Sequence, residues 1–395
     1  MGAVLRLPGV LPLFAAASLA RLPIGALGLL LILRTHDLTG SYARGGLVAG
    51  VYTLAMGLSN PALARLVDRT GQTLVLRVGA LLFGVAVMGF ALLPAGAPFG
   101  AGVACAGLAG LVQPPIGACL RSLWPVLAPD PDSRHAALSM DGVAGEAVYI
   151  AGPVLIVGGV GSWSLTAALV LCAVATTVGD LAFSSHPVSR SWRARFEGER
   201  HFAGALRGRG VLVLIGVFAL CGLAVGAVEV AVPATLEPRG ERSLTGPLLG
   251  LWGVGSLLAG VAVARAGAAP DPPRRLAALL AAWGIAHAAL ALGTEPISLG
   301  ALLLLAGVAI APTLVYANSM LDALAPAGTL TEAFTWTTAG MTSGIASGAA
   351  LAGLIVEAAS PSVAFAALGG GGLLAAVLVR ASARGALRGT VAVPA

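Results

Sequence analysis

The sequence contains no lysine, and its 23 basic residues are all arginine. Charged residues form only 10% of the 395 residues and aromatic residues only 5%, which excludes an ordinary soluble protein with a charged surface. The net charge of +6 does not indicate nucleic-acid binding, because the chain has no soluble basic face. The four cysteines lie in apolar runs without metal-ligand spacing, so we expect buried thiols and no metal site; they are Cys105, Cys119, Cys172 and Cys221.

Motifs of catalysis are also missing. The sequence has no GxxxxGK[ST] loop, which excludes an ATP-driven pump on this chain, and no nucleophile elbow or His/Cys cluster. We therefore expect no enzyme activity, no catalytic residues and no cofactor.

Long apolar runs dominate the chain. Hydrophobic residues make up 57%, and the mean hydropathy is +0.93. A helix of roughly 20 residues crosses the hydrocarbon core of a bilayer. We predict twelve such spans, near residues 10–33, 44–67, 74–93, 99–124, 136–159, 163–183, 210–233, 246–265, 276–293, 297–321, 333–357 and 361–380. The expected fold class is therefore an all-α integral membrane protein.

An internal repeat divides the chain into two halves. LVQPPIGACLRSLWPVLAP returns as AIAPTLVYANSMLDALAP, and Leu127, Ala128 and Pro129 match Leu324, Ala325 and Pro326 at an offset of 197. We predict a six-helix half over residues 1–183, a basic linker over 184–209 and a second six-helix half with a short basic tail over 210–395. Parallel repeats of this kind are typical of secondary transporters, with a solute site between the halves.

The arginines predict the orientation. If the N-terminus is cytoplasmic, 18 arginines fall in the inner joints and tails and four in the outer joints, Arg34, Arg44, Arg239 and Arg242. The positive-inside rule then predicts a multi-pass protein with both termini in the cytoplasm. The absence of lysine suggests GC-rich coding and a bacterial cytoplasmic membrane.

Three segments carry a resemblance to a known family. ALARLVDRTGQT follows the second span, Arg121 lies in the fourth, and GEAVYIAGPVLIVGG lies in the fifth. With twelve spans in two halves, the chain resembles the major facilitator superfamily, and within it bacterial proton-driven drug and metabolite efflux permeases. Asp68, Arg69 and Gly71 match its GxxxDRxGRR signature, whereas Ala64, Gln72 and Thr73 depart from it. Gly152 and Pro153 match the core of the fifth-helix antiporter signature and are expected to kink that helix.

The resemblance and the charge positions together predict an inner gate. Asp68 and Arg69 lie where the second span meets the cytoplasm, so they are expected to form a latch that breaks when the halves rock. Arg121 and Asp141 lie at similar depth and are assigned to the same gate. The alternative for Asp68 and Arg69 is a simple charged turn.

Charges inside the spans indicate proton coupling, because each costs roughly 2.5 to 3.5 kcal/mol at the bilayer centre unless it is paired or wetted. Arg21 lies in the first span and Glu146 in the fifth; the resemblance implies that these helices are neighbours, so we predict that the two residues pair. The pair either exchanges a proton or permanently joins two helices. Glu229, in the seventh span, is a second proton candidate or an outer gate residue. Asp180 is interpreted as a charge at the inner edge of the sixth span.

The resemblance implies that the fourth and tenth spans line a solute cavity, and polar and aromatic side chains of these spans and of the fifth and eleventh are the candidates for its wall. The candidates are Gln113, Tyr149, Tyr316, Asn318 and Trp336, which would suit a medium-sized, partly apolar solute. Core packing explains any one of them equally well. Glycines four residues apart predict close contact between the halves; they are Gly46 and Gly50, Gly246 and Gly250, and Gly340, Gly344 and Gly348.

The resemblance implies a secondary transporter that exports a small organic metabolite or drug by proton antiport. Its expected partners are a small-molecule solute and the lipid bilayer, without nucleic acid, and it is expected to be a monomer driven by the proton gradient. The alternatives are proton-coupled uptake of a nutrient, or a membrane scaffold or sensor that transports nothing.

Overall fold

The computed structural model describes residues 5–193, 204–266, 271–326 and 329–387. In these ranges, twelve helical spans are long and apolar enough to cross a membrane, and there is no β-strand. The spans are α1 (Val10–Thr39), α2 (Tyr42–Thr70), α3 (Gln72–Ala91), α4 (Phe99–Leu127), α5 (Met140–Trp163), α6 (Leu165–Ser185), α7 (Arg209–Arg239), α8 (Arg242–Val263), α9 (Pro272–Leu292), α10 (Pro296–Leu324), α11 (Glu332–Ala358) and α12 (Pro361–Ser382). The predicted fold class is confirmed, with spans α1–α6 forming the N half and α7–α12 the C half.

Several spans are interrupted where proline or glycine occurs. α1 consists of helices Val10–Arg21 and Ile24–Thr39, with Pro23 at the break, because proline cannot donate the next backbone hydrogen bond. In α5, helix Pro131–Ala151 continues as a π-helix over Gly152–Val160. The other divided spans are α4 (Phe99–Leu111, Ile116–Leu127), α10 (Pro296–Val308, Ile310–Leu324) and α12 (Pro361–Gly369, Gly371–Ser382).

The connection between the halves is described in part. α6 ends at Ser185, and a short helix, Pro187–Ser191, follows it. Residues 194–203 of the predicted linker lie outside the described residues. The boundaries 1–183, 184–209 and 210–395 stay predictions.

Twelve alternating spans place both ends of the described chain on one membrane face. We call this face the termini side and the opposite face the far side. The buried hydrophobic residues form three clusters that differ between the sides. On the far side, one cluster contains residues of both halves, such as Leu30 and Val230. On the termini side, the N half and the C half have separate clusters, around Trp124 and Trp283. The halves therefore share a core only on the far side.

Two of the predicted glycine pairs make the contact between halves. A Cβ at Gly46 of α2 would collide with the carbonyl oxygen of Ala349 on α11, and Gly246 of α8 lies equally close to the carbonyl oxygen of Pro153 on α5. Gly50 and Gly250 continue these contacts one turn further, against Ala346 and Val154. Small residues allow such close backbone approach.

α11 lies at the contact between the halves as predicted, but its glycines do not make that contact. Gly340, Gly344 and Gly348 lie against Ile215, Ala219 and Leu223 of α7, within the C half. The face of α11 that meets α2 is the one that carries Ala346 and Ala349.

Candidate functional site

A buried ion pair links α1 and α5 in the N half. Arg21 Nη1 donates to Asp141 Oδ1 at 2.7 Å, and Arg21 Nε donates to the carbonyl oxygen of Ala17 at 3.2 Å. Arg121 Nη1 lies 3.5 Å from the other oxygen, Asp141 Oδ2. The Asp141 side chain is 4% exposed and that of Arg121 is 56% exposed, so one carboxylate joins a buried and an exposed cation. The predicted grouping of Arg121 with Asp141 is present; its gating role stays a prediction.

The predicted pairing of Arg21 with Glu146 is replaced by the pairing with Asp141. The reason is depth. α1 covers Val10–Thr39, longer than the predicted span, so Arg21 lies on the termini side of its centre. Asp141 lies five residues before Glu146, about 7.5 Å nearer that side at 1.5 Å per residue. The side chain of Glu146 lies outside the described residues, and its role in proton coupling stays a prediction.

The joint between α2 and α3 is held by a residue that departs from the family signature. Gln72 is fully buried; its Nε2 donates to the carbonyl oxygen of Cys119 at 3.0 Å and to Ser122 Oγ at 2.9 Å. Its Oε1 accepts from Ser189 Oγ at 2.8 Å. A single amide thus ties the joint to α4 and to the helix after α6.

The signature residues themselves occupy this joint. Gly71 has φ +89°, which favours glycine, and lies against the guanidinium of Arg193. Asp68 and Arg69 form no ion pair among the described residues. Their latch function stays a prediction.

Glu229 of α7 lies at the boundary between the halves. A Cβ at Gly28 of α1 would lie 3.6 Å from Glu229 Oε2. Within the described part of the chain, this half-buried carboxylate has no hydrogen bond or ion pair. Tyr52 of α2 lies within electrostatic range of both Glu229 and Tyr149. An acid from the C half therefore faces α1 of the N half.

The predicted cavity residues have different environments. Gln113 is buried and its Oε1 accepts from Tyr52 Oη at 3.0 Å, which links α4 to α2. Tyr149 is 60% exposed. Trp336 Nε1 donates to Glu332 Oε1 at 3.2 Å. Tyr316 and Asn318 are half-buried. Contact of these residues with a solute stays a prediction; Tyr52 was missed because its partner Gln113 is distant in sequence.

The predicted kink at Gly152 and Pro153 coincides with the start of the π-helix. Gly152 also packs against Gly25 of α1: a Cβ would lie 3.2 Å from Gly25 Cα. Close contact between α1 and α5 and an irregular helix therefore occur together.

Asp180 lies near the termini-side end of α6, as predicted, but it is buried inside the protein. Its relative exposure is 0%, and neither carboxylate oxygen has a hydrogen-bond partner in the described structure. The sequence interpretation used only its distance from the end of α6, and that distance does not reveal that α6 packs against α1 and α3.

A polar cluster on the far side was not predicted from the sequence. We define the far-side cluster as His36, Asp37, Tyr42, Glu237 and Arg242. Arg242 Nη1 lies 2.6 Å from Asp37 Oδ1 and 3.4 Å from Glu237 Oε1, and Tyr42 Oη donates to Glu237 Oε2. His36 Nδ1 lies 3.5 Å from Glu237 Oε1.

The far-side cluster joins the two halves, because three of its residues belong to the N half and two to the C half. A signal for it was present: Asp37 and Glu237 lie near the far ends of α1 and α7, the equivalent spans of the repeat.

Comparisons with known proteins agree with this architecture. A family model described as Major Facilitator Superfamily matches residues 13–292. The chain is similar to a solved peptide transporter POT in complex with sulfate, with 13% identity, a TM-score of 0.75 and coverage of 96% of this chain and 95% of that chain. It is also similar to a mutant of the nucleoside transporter NupG, with 12% identity, a TM-score of 0.75 and coverage of 94% and 99%. No curated protein sequence matches significantly.

Proposed function

Because the chain belongs to the Major Facilitator Superfamily and is similar to solved transporters, we propose that it exports a small organic metabolite or drug by proton antiport. The observation that carries the proposal is the distribution of the hydrophobic core, which is shared by both halves on the far side and split on the termini side. Such a structure is closed at one face and able to admit a solute from the other, as alternating access requires.

The predicted orientation in the membrane indicates which face of the protein is open. The excess of arginine in the joints of the termini side supports a cytoplasmic location for that side. The described conformation is then open toward the cytoplasm, and a cytoplasmic solute enters between the halves. Each half keeps its own core on that side, so the halves rock as rigid units.

Proton coupling is assigned first to Glu229. This carboxylate faces α1 of the other half and has no partner among the described residues, so its surroundings change when the halves rearrange. A group whose environment differs between two states binds a proton differently in each. Glu146 remains the second candidate. Arg21 is held by Asp141, which favours a structural role for that pair.

The solute is expected to be medium-sized and partly apolar. The candidate wall offers Tyr149 from the N half and Tyr316, Asn318 and Trp336 from the C half, which supply aromatic faces and a few hydrogen-bonding groups. The bacterial cytoplasmic membrane, a monomeric state and the proton gradient as energy source complete the proposal.

Comparative metabolite profiling tests the proposal. A deletion strain is complemented with wild type, Glu229→Gln, Glu146→Gln or, as a control, Asp322→Asn, which changes an exposed acid on the termini side. We expect a compound that accumulates inside the deletion and the Glu229→Gln strains and is exported with wild type and Asp322→Asn.

Other outcomes separate the alternatives. A compound that stays in the medium unless wild type is present would show uptake and contradict export. Unchanged metabolites inside and outside, with normal membrane levels of the protein, would favour a scaffold or sensor.

A further inference from the structure

The far-side cluster places a histidine at the contact between the halves. The imidazole of His36 stacks on the ring of Tyr42, with centroids 4.0 Å apart and an angle of 26° between planes. Its Nδ1 has no hydrogen-bond partner in the described structure, although Glu237 Oε1 lies 3.5 Å away. A neutral ring leaves this nitrogen unused, whereas a protonated ring forms an ion pair with Glu237.

The cluster holds more acidic than basic side chains. Two carboxylates, Asp37 and Glu237, share one guanidinium, Arg242, so the cluster has one uncompensated negative charge. Tyr42 donates its hydroxyl proton to Glu237 but adds no positive charge. An imidazolium at His36 supplies the missing cation.

The remaining charges on the packed elements are otherwise engaged. Arg34 donates to the carbonyl oxygen of Leu93 at 3.0 Å, and Arg239 donates to that of Thr235 at 3.3 Å. Arg44 lies 5.5 Å from the centroid of Phe99. The nearby acids, Glu357 of α11 and Glu241 of the joint before α8, add further negative charge.

We infer that the far-side cluster is a proton-responsive gate in which His36 is the sensing side chain, and that acid on the far side stabilises the closed contact with Glu237. The inference rests on the proposed alternating access. His36 belongs to α1 and Glu237 to α7, so opening of the far side separates them. The closed state therefore binds the proton more tightly, and lower pH shifts the equilibrium toward it.

The sign of this response fits a proton-coupled cycle. Closing of the far side follows the arrival of a proton from outside in both antiport and symport. Histidine is the side chain that ordinarily changes charge between pH 5 and 8. Protonation of His36 favours the step that carries the bound proton inward, whichever direction the solute takes.

Distance measurements between spin labels test the inference without a known solute. Labels are attached to cysteines at Trp163 and Ile297, which are 91% and 88% exposed on the far side of the N and C halves, after the four native cysteines are replaced by alanine. Between pH 8 and pH 5, we expect the ratio of closed to open populations to rise roughly two- to fivefold, the range for a partly exposed ion pair.

Three variants identify the sensor. His36→Gln abolishes the pH response, and His36→Arg, which carries a permanent charge, keeps the closed population high at both pH values. His186→Gln, at the termini side, retains the wild-type response. A response that persists in His36→Gln, or its absence in wild type while both populations exist, would overturn the inference. If the far side stays closed under all conditions and in all variants, the proposed alternating access fails instead.

Discussion

Arg21 and Asp141 lie in the membrane with one further cation, Arg121, beside the carboxylate. Removing one partner of a buried ion pair costs about 3 to 5 kcal/mol, because the other charge is left uncompensated. Asp141→Asn leaves Arg21 without an anion, whereas Arg21→Gln leaves Asp141 next to Arg121. We therefore expect Asp141→Asn to lower the melting temperature in detergent more than Arg21→Gln does. Equal losses would contradict the contact with Arg121.

For Asp180, we expect that removal of the carboxylate raises the melting temperature. Its carboxyl group is completely buried and has no hydrogen-bond partner in the described structure, and burial of an unpaired charge is unfavourable. Asp180→Asn keeps the shape and removes the cost of burying or protonating this carboxylate, so we expect a higher melting temperature at neutral pH. Asp68→Asn, at a less buried position, is the matched control and should change the melting temperature little. A lower melting temperature for Asp180→Asn would show that the carboxylate has a role in folding.

At the scale of helices, the contact between α2 and α11 joins the two halves. The carbonyl oxygen of Ala349 occupies the place of a side chain at Gly46, so Gly46→Val wedges the two helices apart. We expect this variant to fold, because each half keeps its own core on the termini side, but to remain open on the far side. Labelling of a cysteine at Ala43 by a membrane-impermeant maleimide should increase. Gly100→Val is the control, since a Cβ at Gly100 has no neighbour within 4 Å.

The same helices show how far sequence reasoning reaches. Hydropathy predicted each span because the bilayer requires an apolar segment of fixed length, and close glycine spacing correctly placed α2 and α8 at the contact between halves. α11 also lies there, but its glycines do not make the contact, since Gly340 faces α7. Spacing identifies a helix face of small residues but not the helix that packs on it. The predicted pairing of Arg21 with Glu146 depended on the length of the first span. The predicted span, 10–33, was several residues shorter than α1, so Arg21 was placed too deep in the membrane.

The far-side cluster was not predicted from the sequence for a different reason. The sequence places these five residues outside the predicted spans, in joints where charges are normally solvated; they are His36, Asp37, Tyr42, Glu237 and Arg242. They come together only when α1 packs on α7. Composition and spacing carry no information about that packing. Residues inside the membrane stand out in a sequence because their burial is costly, whereas residues at a gate on its surface do not.

At the scale of the whole molecule, the split core predicts that transport requires movement between the halves and does not require movement within a half. A disulfide between cysteines at Val154 of α5 and Gly250 of α8 joins the halves at their far-side contact, where a Cβ at Gly250 lies 3.9 Å from Val154 Cβ. We expect it to stop transport of the solute identified by profiling, and reduction to restore transport. A disulfide between cysteines at Val51 and Gly107, both in the N half and in contact, should leave the rate nearly unchanged. Both double mutants are made after replacement of the native cysteines, and mass spectrometry measures the fraction cross-linked. Full transport by the protein locked on the far side would contradict alternating access, because the far side would then never need to open.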